Sequence, residues 1–362
     1  MKPVDKGAPP IPETIRRAFA PSLIAWQRHS GRHGLPWQGT RDPYRVWLSE
    51  IMLQQTQVST VLSYYPRFLE RFPDVRALAE AGEDEVMALW SGLGYYSRAR
   101  NLHRCAKVVV REHGGRFPVG AEDLATLPGI GASTAAAIAA FCHGERVSIV
   151  DGNVRRVLSR LLAFGEDLVQ TGPQKRLWNL AQSLLPVAPS AEDMQAYTQG
   201  LMDLGATVCT RSRPSCVICP VSALCEGRAS GDPARFPVKS RRLTRRHESW
   251  WLAVILRGEG AQRQVWLQRR PAPGIWAGLL CVPVAGSEDE ILAIVQADAA
   301  HVQALPAIAH ALTHRELRLH PLVAEWADGA GAPSGEGAWC AMDRLESVGL
   351  PAPVRWLLAS LA

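Results

Sequence analysis

The chain has 362 residues, 47% of them hydrophobic and 20% charged, with a formal net charge of +6. This length and apolar fraction predict two folded domains and exclude a low-complexity disordered chain. Eight cysteines in this length are too few for a secreted disulfide scaffold. No apolar run is long enough to span a membrane, and the N-terminus lacks the apolar core of a signal peptide. We therefore expect a cytoplasmic protein.

The charge is distributed unevenly along the chain. Residues 1–227 carry a net charge of +4, residues 228–246 carry +6 and residues 247–362 carry −4. The middle segment, RASGDPARFPVKSRRLTRR, contains Pro, Gly and Ser without an apolar period, which predicts a basic linker between two domains. Two interpretations of this linker stay open, a solvated tether and a tether whose basic side chains contact phosphates.

Hydrophobic periodicity predicts a helical region followed by a mixed one. Residues 1–12 are Pro-rich and predict a disordered tail. Helices are then predicted near 14–29, 43–71, 82–90, 95–113, 121–126, 133–142, 153–163, 173–185 and 191–207. After residue 247 we predict a hairpin over 250–270, strands within 311–326, and helices near 287–298 and 351–361. The predicted fold is mainly α, with a helical domain over 13–227 and a smaller α+β domain over 247–362.

Four cysteines near the end of the helical region have the spacing of a metal site. Cys209, Cys216, Cys219 and Cys225 form the pattern C-x6-C-x2-C-x5-C. Short loops close at little entropic cost, so four thiolates can converge on one centre. Zinc stays a rival of iron–sulfur, because spacing separates the two only weakly. The spacing is similar to the [4Fe–4S] loop of the endonuclease III superfamily of DNA glycosylases, and this resemblance implies a [4Fe–4S] cluster.

The stretch LPGIGASTAAAIAAF, residues 127–141, has the features of a phosphate-binding turn. Gly129 and Gly131 let the backbone approach a polyanion closely, and the following helix presents unpaired N–H groups at its start. Such turns are mostly structural when they occur alone. Together with the cysteine loop, this one resembles the helix-hairpin-helix of the same superfamily, which binds the DNA backbone without reading bases. Ser133 and Thr134 follow as candidate hydroxyl donors to a phosphate.

Two acidic residues are candidates for chemistry. In WLSEIMLQQTQV, helical spacing predicts that Glu50, Gln54 and Gln57 share one narrow face of a helix. Asp151 directly precedes a helical run in SIVDGNVRRVLSRLL, a position typical of an N-cap. Taken alone, Glu50 is compatible with an ordinary solvated face of a helix, and Asp151 with an ordinary helix cap.

Five motifs together resemble the A/G-specific adenine DNA glycosylases, the MutY family. They are WLSEIMLQQTQV, GLGYYSRARNLH, LPGIGASTAAAI, VDGNVRRVLSR and MDLGATVCTRSRPSCVICP, in this order within residues 35–226. The resemblance implies that Glu50 protonates adenine as a general acid, while Asp151, supported by Asn153, stabilises an oxocarbenium-like sugar. It also implies base excision repair by a nucleoid-associated monomer. Adenine opposite 8-oxoguanine or guanine in double-stranded DNA would be flipped out and removed by hydrolysis.

The same resemblance implies roles for several further residues. Gln54 would enter the space that adenine leaves, and Tyr95 would insert beside the lesion. Three positions match residues that line the adenine pocket, namely Trp37, Gln38 and Gln199. Superfamily members that also cut the strand have a lysine, which forms a Schiff base with the sugar, where this chain has Ser133. A monofunctional glycosylase is therefore implied.

Residues 247–362 resemble the Nudix-like C-terminal domain of that family, most clearly in QRRPAPGIWAGLLCVP. Glu288 and Glu290 do not reproduce the glutamate spacing with which a Nudix hydrolase holds magnesium, so we expect recognition and not pyrophosphate hydrolysis. Where the family places an aromatic-Ser-His segment over the oxidised guanine, this chain has Leu312, Thr313 and His314. Thr and His keep their hydrogen-bonding groups, whereas Leu gives up the aromatic stacking.

Two other functions are left as alternatives. An endonuclease III-like glycosylase/lyase for oxidised pyrimidines is disfavoured by Ser133 and by the added C-terminal domain. A non-catalytic iron–sulfur protein that binds DNA or senses redox state would bind a lesion duplex and never cleave it. Base release from A:8-oxoguanine and thymine-glycol duplexes distinguishes the three functions.

Overall fold

The computed structural model describes residues 11–240, 244–295, 302–327 and 331–361. Most of the predicted disordered tail and residues 241–243 of the predicted linker lie outside the described residues. The chain divides into two compact units. The first comprises residues 1–66, 74–76 and 104–242, and the second comprises residues 67–73, 77–103 and 243–362.

Helices account for most of the regular structure. In chain order they are α1 (Glu13–Ser30), α2 (Pro43–Leu53), α3 (Val58–Arg71), α4 (Val75–Glu80), α5 (Glu83–Trp90), α6 (Ser97–His113), α7 (Ala121–Leu124), α8 (Ala132–His143), α9 (Gly152–Leu161), α10 (Thr171–Ser183), α11 (Ala191–Asp203), α12 (Glu226–Ala229), α13 (Glu288–Val295) and α14 (Ala352–Ala359). The helix predicted over 287–298 is present as α13, and residues 296–298 lie outside the described residues.

The single helix predicted over 43–71 is wrong. The structure has two helices there, because α2 ends at Leu53 and Gln55 adopts a left-handed φ of +57° that no helix can continue through. Gln54 is the C-cap of α2. The predicted shared face of Glu50, Gln54 and Gln57 is therefore also wrong, since only the glutamate lies in α2.

The core of the first unit surrounds the Ala-rich helix α8. Ala136, Ala137 and Ala140 of this helix are buried together with Phe19 of α1 and Leu201 of α11. Small side chains allow neighbouring helices to approach closely, and both α2 and α11 pack on α8. This packing places the helix that carries Glu50 and the helix that carries Gln199 against a common partner.

A sheet forms most of the second unit. Its strands are β1 (Arg246–Arg257), β2 (Gln264–Arg269), β3 (Leu280–Cys281), β4 (Val284–Ala285), β5 (Val302–Ala304), β6 (Ile308–Ala311), β7 (Arg315–Glu325) and β8 (Ala338–Ala341). The central order is β3-β2-β1-β7-β5, with β4 on β1, β6 on β7 and β8 on β2. Strands β1 and β7 are parallel along their whole length, and the other pairs are antiparallel. The predicted hairpin over 250–270 is confirmed, with Leu256 of β1 opposite Val265 of β2.

Helix α13 covers the sheet, and helical residues before position 104 complete the second unit. Ile291 and Val295 of α13 pack on Ala253 and Ile255 of β1. In the helical part, the Ser91 hydroxyl donates a hydrogen bond to the Leu350 carbonyl oxygen at 2.7 Å. Within the described ranges, no helix is both long and apolar enough to cross a bilayer.

Candidate active site

Glu50 lies in the last turn of α2, between residues that belong to the core. Asp42 starts this helix by accepting a hydrogen bond from the Tyr44 N–H at 2.9 Å, and Pro43 occupies its first position. The half-buried Glu50 carboxyl group has lost much of its hydration. Burial raises the pKa of Glu50 to about 8, and the negative charge of Asp151 adds to the effect. Glu50 therefore keeps its proton at neutral pH.

Asp151 is the N-cap of α9, as predicted. Its carboxylate accepts a hydrogen bond from the Val154 N–H at 2.7 Å. Burial raises the pKa of Asp151, whereas the N–H groups of Val154 and Asn153 and the positive charge of Arg156 oppose that rise. These groups stabilise the ionised form of Asp151 against the effect of burial. The negative charge of that form contributes to the raised pKa of Glu50.

The predicted hairpin is the turn between α7 and α8. Gly129 adopts a φ of +77°, and Gly131 is the N-cap of α8, so the N–H groups of the first turn of α8 follow directly. The Ser133 hydroxyl oxygen accepts a hydrogen bond from the Val150 N–H at 3.1 Å. Ser133 therefore ties the hairpin helix to the residue that precedes Asp151.

Asn153 is held by an arginine that also reaches the cysteine loop. Arg156 donates to the Asn153 side-chain oxygen at 2.8 Å, to the Gly205 carbonyl oxygen at 2.6 Å and to the Cys209 carbonyl oxygen at 2.8 Å. A Cβ atom on Gly205 would lie 2.8 Å from the Cβ of Asn153. The π-helical turn Leu204–Val208 therefore contacts the first turn of α9 without space between them.

We expect Gly205→Ala to destabilise the protein by about 1–3 kcal/mol, because the new methyl group overpacks against Asn153. Chemical unfolding measures the effect. Gly82→Ala is the matched control, since no atom lies within 4 Å of the added Cβ there. Equal behaviour of the two variants would contradict the close approach.

The four predicted metal-ligating cysteines lie together at the end of the first unit. All four are free thiols of intermediate exposure, and the pKa of Cys219 is raised first by burial and then by the other three, which places them within electrostatic reach of one another. Arg160 donates to the Cys209 Sγ at 3.3 Å. Four thiols with such a donor fit an iron–sulfur cluster or a zinc ion by donor chemistry. These thiols are not, however, arranged as the ligands of a single metal ion, and the described part of the chain has no other group of three or more His, Cys, Asp or Glu side chains that is.

The predicted pocket residues belong to the first unit. Trp37 is buried, and its ring meets that of Tyr65 edge to face with centroids 5.5 Å apart. The Gln38 side-chain amide donates to the Arg32 carbonyl oxygen at 2.8 Å and accepts from the Leu35 N–H at 3.1 Å. The loop before α2 is thereby held in one conformation.

Gln54 and Tyr95, both predicted to act in the duplex, belong to different units. Gln54 donates to the Thr134 hydroxyl at 3.3 Å, which links the end of α2 to the hairpin helix. Tyr95 is exposed, has a φ of +48° and forms a hydrogen bond of 2.8 Å with the Thr313 hydroxyl. Its ring lies against the Arg98 guanidinium, at 5.4 Å. Tyr95 and Thr313 are thus joined within the second unit.

Leu312, Thr313 and His314 form the turn between β6 and β7. The Leu312 N–H donates to the Arg315 carbonyl oxygen at 2.8 Å, and the His314 carbonyl oxygen accepts from the Arg246 N–H at 3.0 Å. The turn is therefore tied to the sheet at both ends.

Sequence reasoning missed three buried or half-buried polar residues near these sites, Asp203, Arg156 and Arg160. Arg156 and Arg160 lie one turn apart on the amphipathic helix α9, so two arginines at this spacing were an available signal. Asp203 lies four residues after Gln199 and therefore one turn further along α11. Its partners could not be inferred, because one of them is 171 residues away.

Comparisons with known proteins agree with this architecture. The HhH-GPD superfamily of base excision DNA repair proteins matches residues 48–182, and the NUDIX domain family matches residues 252–360. A solved structure titled a thermostable thymine-DNA glycosylase aligns with a TM-score of 0.53 and 28% identity, covering 60% of this chain and 98% of that one. An endonuclease III–DNA complex, at 19% identity and a TM-score of 0.51, shares the fold over 61% of this chain.

Curated relatives extend the similarity over nearly the whole chain. An adenine DNA glycosylase of Buchnera aphidicola (from Baizongia pistaciae) is 32% identical over 352 residues, covering 95% of this chain and 96% of that protein. The human adenine DNA glycosylase is 38% identical over 312 residues, covering 72% of this chain and 56% of that protein. The predicted fold, a helix-hairpin-helix glycosylase domain with a smaller Nudix-like domain, is confirmed. The chain belongs to the adenine DNA glycosylases, base excision repair enzymes that hydrolyse N-glycosyl bonds.

Proposed function

We propose that this enzyme removes adenine opposite 8-oxoguanine or guanine in double-stranded DNA and leaves an abasic site without cutting the strand. The observation that carries the proposal is the pair of acids, Glu50 and Asp151, in different electrostatic surroundings. Burial raises the pKa of Glu50 to about 8, and the negative charge of Asp151 adds to that rise. Burial also raises the pKa of Asp151, but helix N–H groups and the positive charge of Arg156 oppose that rise. Two interacting carboxyl groups, of which only one has helix N–H groups and arginine charges that stabilise its anion, are suited to opposite roles in one reaction.

The chemistry needs both states. Adenine leaves poorly as an anion, and Glu50 relieves this by donating its proton to a ring nitrogen as the glycosidic bond breaks. The bond breaks with a build-up of positive charge on the sugar, as in other glycoside hydrolyses. Ionised Asp151 stabilises that charge, and Asn153, fixed by Arg156, supports the carboxylate from the same turn of α9. Water then completes the hydrolysis and gives the abasic site.

Duplex binding uses the hairpin and the residues that open the stack. The first turn of α8 presents its N–H groups to a phosphate, beside Gly129 and Gly131. Extruding the target adenine costs a few kcal/mol. Gln54, held by Thr134, fills the vacated space, and Tyr95 inserts beside the lesion base. Trp37, Gln38 and Gln199 line the pocket that receives adenine.

Cys209, Cys216, Cys219 and Cys225 are proposed to hold a [4Fe–4S] cluster. The donor set, the half-buried thiols and the N–H···S contact from Arg160 support this assignment. When bound, such a cluster would cross-link the four cysteines and so hold the loop in one conformation. The exposed side chains of Arg211 and Arg213 on this loop are then available for phosphates. A colourless protein with stoichiometric zinc would contradict the assignment.

The turn of Leu312, Thr313 and His314 is proposed to contact the oxidised guanine. Its support is the hydrogen bond between Thr313 and Tyr95, which joins the turn to the residue proposed to insert at the same lesion. Leu312 offers apolar contact where an aromatic ring would stack, so hydrogen bonds from Thr313 and His314 carry the recognition.

Single-turnover base release from duplexes with A opposite 8-oxoguanine, G, C or T tests the proposal, with a thymine-glycol duplex beside them. We expect the fastest release from A:8-oxoguanine, slower release from A:G, and none from thymine glycol. Thr313→Ala should reduce the ratio of the first two rates. Equal rates on all four partners would refute the mispair preference, and release of thymine glycol would favour the glycosylase/lyase alternative.

We expect Ser133→Lys to give strand cleavage that borohydride traps as a protein–DNA adduct, because an amine then replaces the hydroxyl at the hairpin. The same change removes the acceptor for the Val150 N–H, so base release should slow by about two- to tenfold. Ser133→Ala, which loses the acceptor without adding an amine, is the matched control. It should show the slower release and no trapped adduct. Trapping by both variants would show that the amine comes from elsewhere.

A further inference from the structure

Asp203, the last residue of α11, is a fully buried carboxylate that no proposed catalytic step uses. One of its oxygens accepts from the Arg32 Nε at 2.7 Å and from the Gln199 side-chain amide at 2.8 Å. The other oxygen accepts from the Arg32 backbone N–H at 2.9 Å. A buried carboxylate that accepts several hydrogen bonds, one of them from a charged guanidinium, restrains the groups that donate to it.

Its position connects the elements that carry the two catalytic acids. Arg32 lies in the loop before α2, and its carbonyl oxygen accepts from Gln38 at 2.8 Å, so Asp203 anchors the chain that leads to Glu50. Gly205, two residues after Asp203, lies in contact with Asn153 at the start of α9. Asp203 and its neighbour Gln199 are therefore placed between the loop that precedes one catalytic helix and the start of the other.

The carboxylate also decides which atom of Gln199 faces it. An ionised carboxylate only accepts hydrogen bonds, so the amide must point its NH2 group at Asp203 and turn its carbonyl oxygen, Oε1, the other way. An unanchored amide could present either group, because oxygen and nitrogen are similar in size. Asp203 therefore selects one of the two possible orientations of the Gln199 amide. In that orientation Oε1 points away from Asp203 as a hydrogen-bond acceptor.

We propose that Asp203 is a positioning residue that makes the enzyme select 6-aminopurines, given the proposed placement of Gln199 against the flipped base. The exocyclic amine of adenine donates to Oε1 of Gln199. Guanine and hypoxanthine carry a carbonyl oxygen at that position, which meets Oε1 as one acceptor against another. A site built to pair with a substrate N–H disfavours analogues that lack it, because its polar group is then left without a partner.

Substrate analogues and Asp203→Asn test the proposal on the full-length protein. Asparagine keeps the shape of the side chain, but its NH2 group must face a donor in either orientation, the Arg32 backbone N–H or the Nε of Arg32 together with the Gln199 amide. The anchor that fixes the orientation of Gln199 is therefore weakened. Single-turnover release is compared for adenine, for unsubstituted purine, which lacks the amine, and for hypoxanthine, all opposite 8-oxoguanine. We expect the wild-type preference for adenine over purine to fall by roughly tenfold, the worth of one hydrogen bond. Hypoxanthine release should rise relative to adenine.

Two further variants separate orientation from folding. Gln199→Leu should lose the same preference, and adding Asp203→Asn to it should change the ratio no further. Thr207→Val is the matched control, because its hydroxyl donates to the Asp203 backbone carbonyl oxygen at 2.8 Å and not to the carboxylate. It should keep the wild-type ratio.

A distinct result overturns each part. If Asp203→Asn slows adenine and purine release by the same factor, Asp203 only supports the fold, and the selection of 6-aminopurines is refuted. If Gln199→Leu keeps the wild-type ratio, Gln199 does not contact the amine. If the wild-type protein releases no adenine from A:8-oxoguanine, the proposed function itself fails, independently of Asp203.

Discussion

Glu50→Gln should reduce single-turnover adenine release by about 10²–10⁴-fold, the contribution of a well-placed general acid. Glutamine preserves the size of the side chain but has no proton to donate to the departing base. The substitution places a neutral group where the structure already favours a neutral one, since burial keeps Glu50 protonated. Lesion-duplex affinity and the unfolding transition should therefore stay close to wild type.

Asp151→Asn is the matched partner of that experiment. Asparagine caps helices as well as aspartate, so the hydrogen bond from the Val154 N–H to the side chain can persist while the negative charge is lost. A similar loss of base release with retained binding is expected. Glu13→Gln, on an exposed residue, controls for the loss of one charge. Excision within about tenfold of wild type in either variant would refute the role proposed for the substituted acid, because a general acid or a stabilising charge at the reacting sugar contributes more than that.

The raised pKa of Glu50 predicts a pH dependence of both rate and stability. The rate should fall tenfold per pH unit above about 8, as Glu50 loses its proton. The folded protein binds this proton more tightly than the unfolded chain, whose glutamate has a pKa near 4.5. The free energy of unfolding should therefore decrease as pH rises from about 4.5 to 8.

Urea unfolding at pH 6 and pH 9 checks the effect on stability. Wild type should lose more stability across this interval than Glu50→Gln does, by on the order of 1–3 kcal/mol, since the variant has no carboxyl group to ionise. An identical pH dependence of the two proteins would show that Glu50 is solvated in the folded state. A rate that stays flat to pH 10 would exclude it as the acid.

Local chemistry in the sequence was sufficient for many of these features. Asp151 before an amphipathic run predicts the observed helix cap, and the two glycines before the Ala-rich stretch predict the observed turn and helix start. The hairpin of β1 and β2 follows from two short apolar runs on either side of a Gly-containing turn. Each of these features depends on neighbours within a few residues.

Features set by distant partners could not be predicted. The break at Gln55 lies in an apolar and amide-rich run that reads as one continuous helix, and only the folded chain shows its left-handed backbone. The parallel pairing of β1 with β7 joins residues about 70 positions apart. From the sequence alone, Asp203 cannot be told from an ordinary charged residue at a helix end, because its partner Arg32 is distant in the chain. Periodicity carries no information about such pairs.

The second large effect concerns Arg160, whose guanidinium is buried among carbonyl groups of the cysteine loop. It donates to the Thr210 carbonyl oxygen at 2.6 Å, to that of Arg211 at 2.8 Å and to that of Phe236 at 3.1 Å. Its side chain also reaches the Cys209 Sγ at 3.3 Å. Arg160 therefore holds the chain on both sides of the cysteines against α9, the helix whose N-cap is Asp151.

Arg160→Met should lower the free energy of unfolding by about 3–5 kcal/mol, because a side chain of similar length without donors leaves several buried carbonyl groups unpaired. Arg160→Lys should recover only part of this loss, since an ammonium group lacks the planar set of donors that reaches three acceptors at once. Arg213→Met is the matched control on the same loop, where an exposed arginine should change stability by about 0.5 kcal/mol or less. Urea unfolding of the three variants measures the differences. Equal stabilities of Arg160→Met and Arg213→Met would mean that the loop holds its conformation without Arg160, and that its coupling to the helix of Asp151 runs through Arg156 alone.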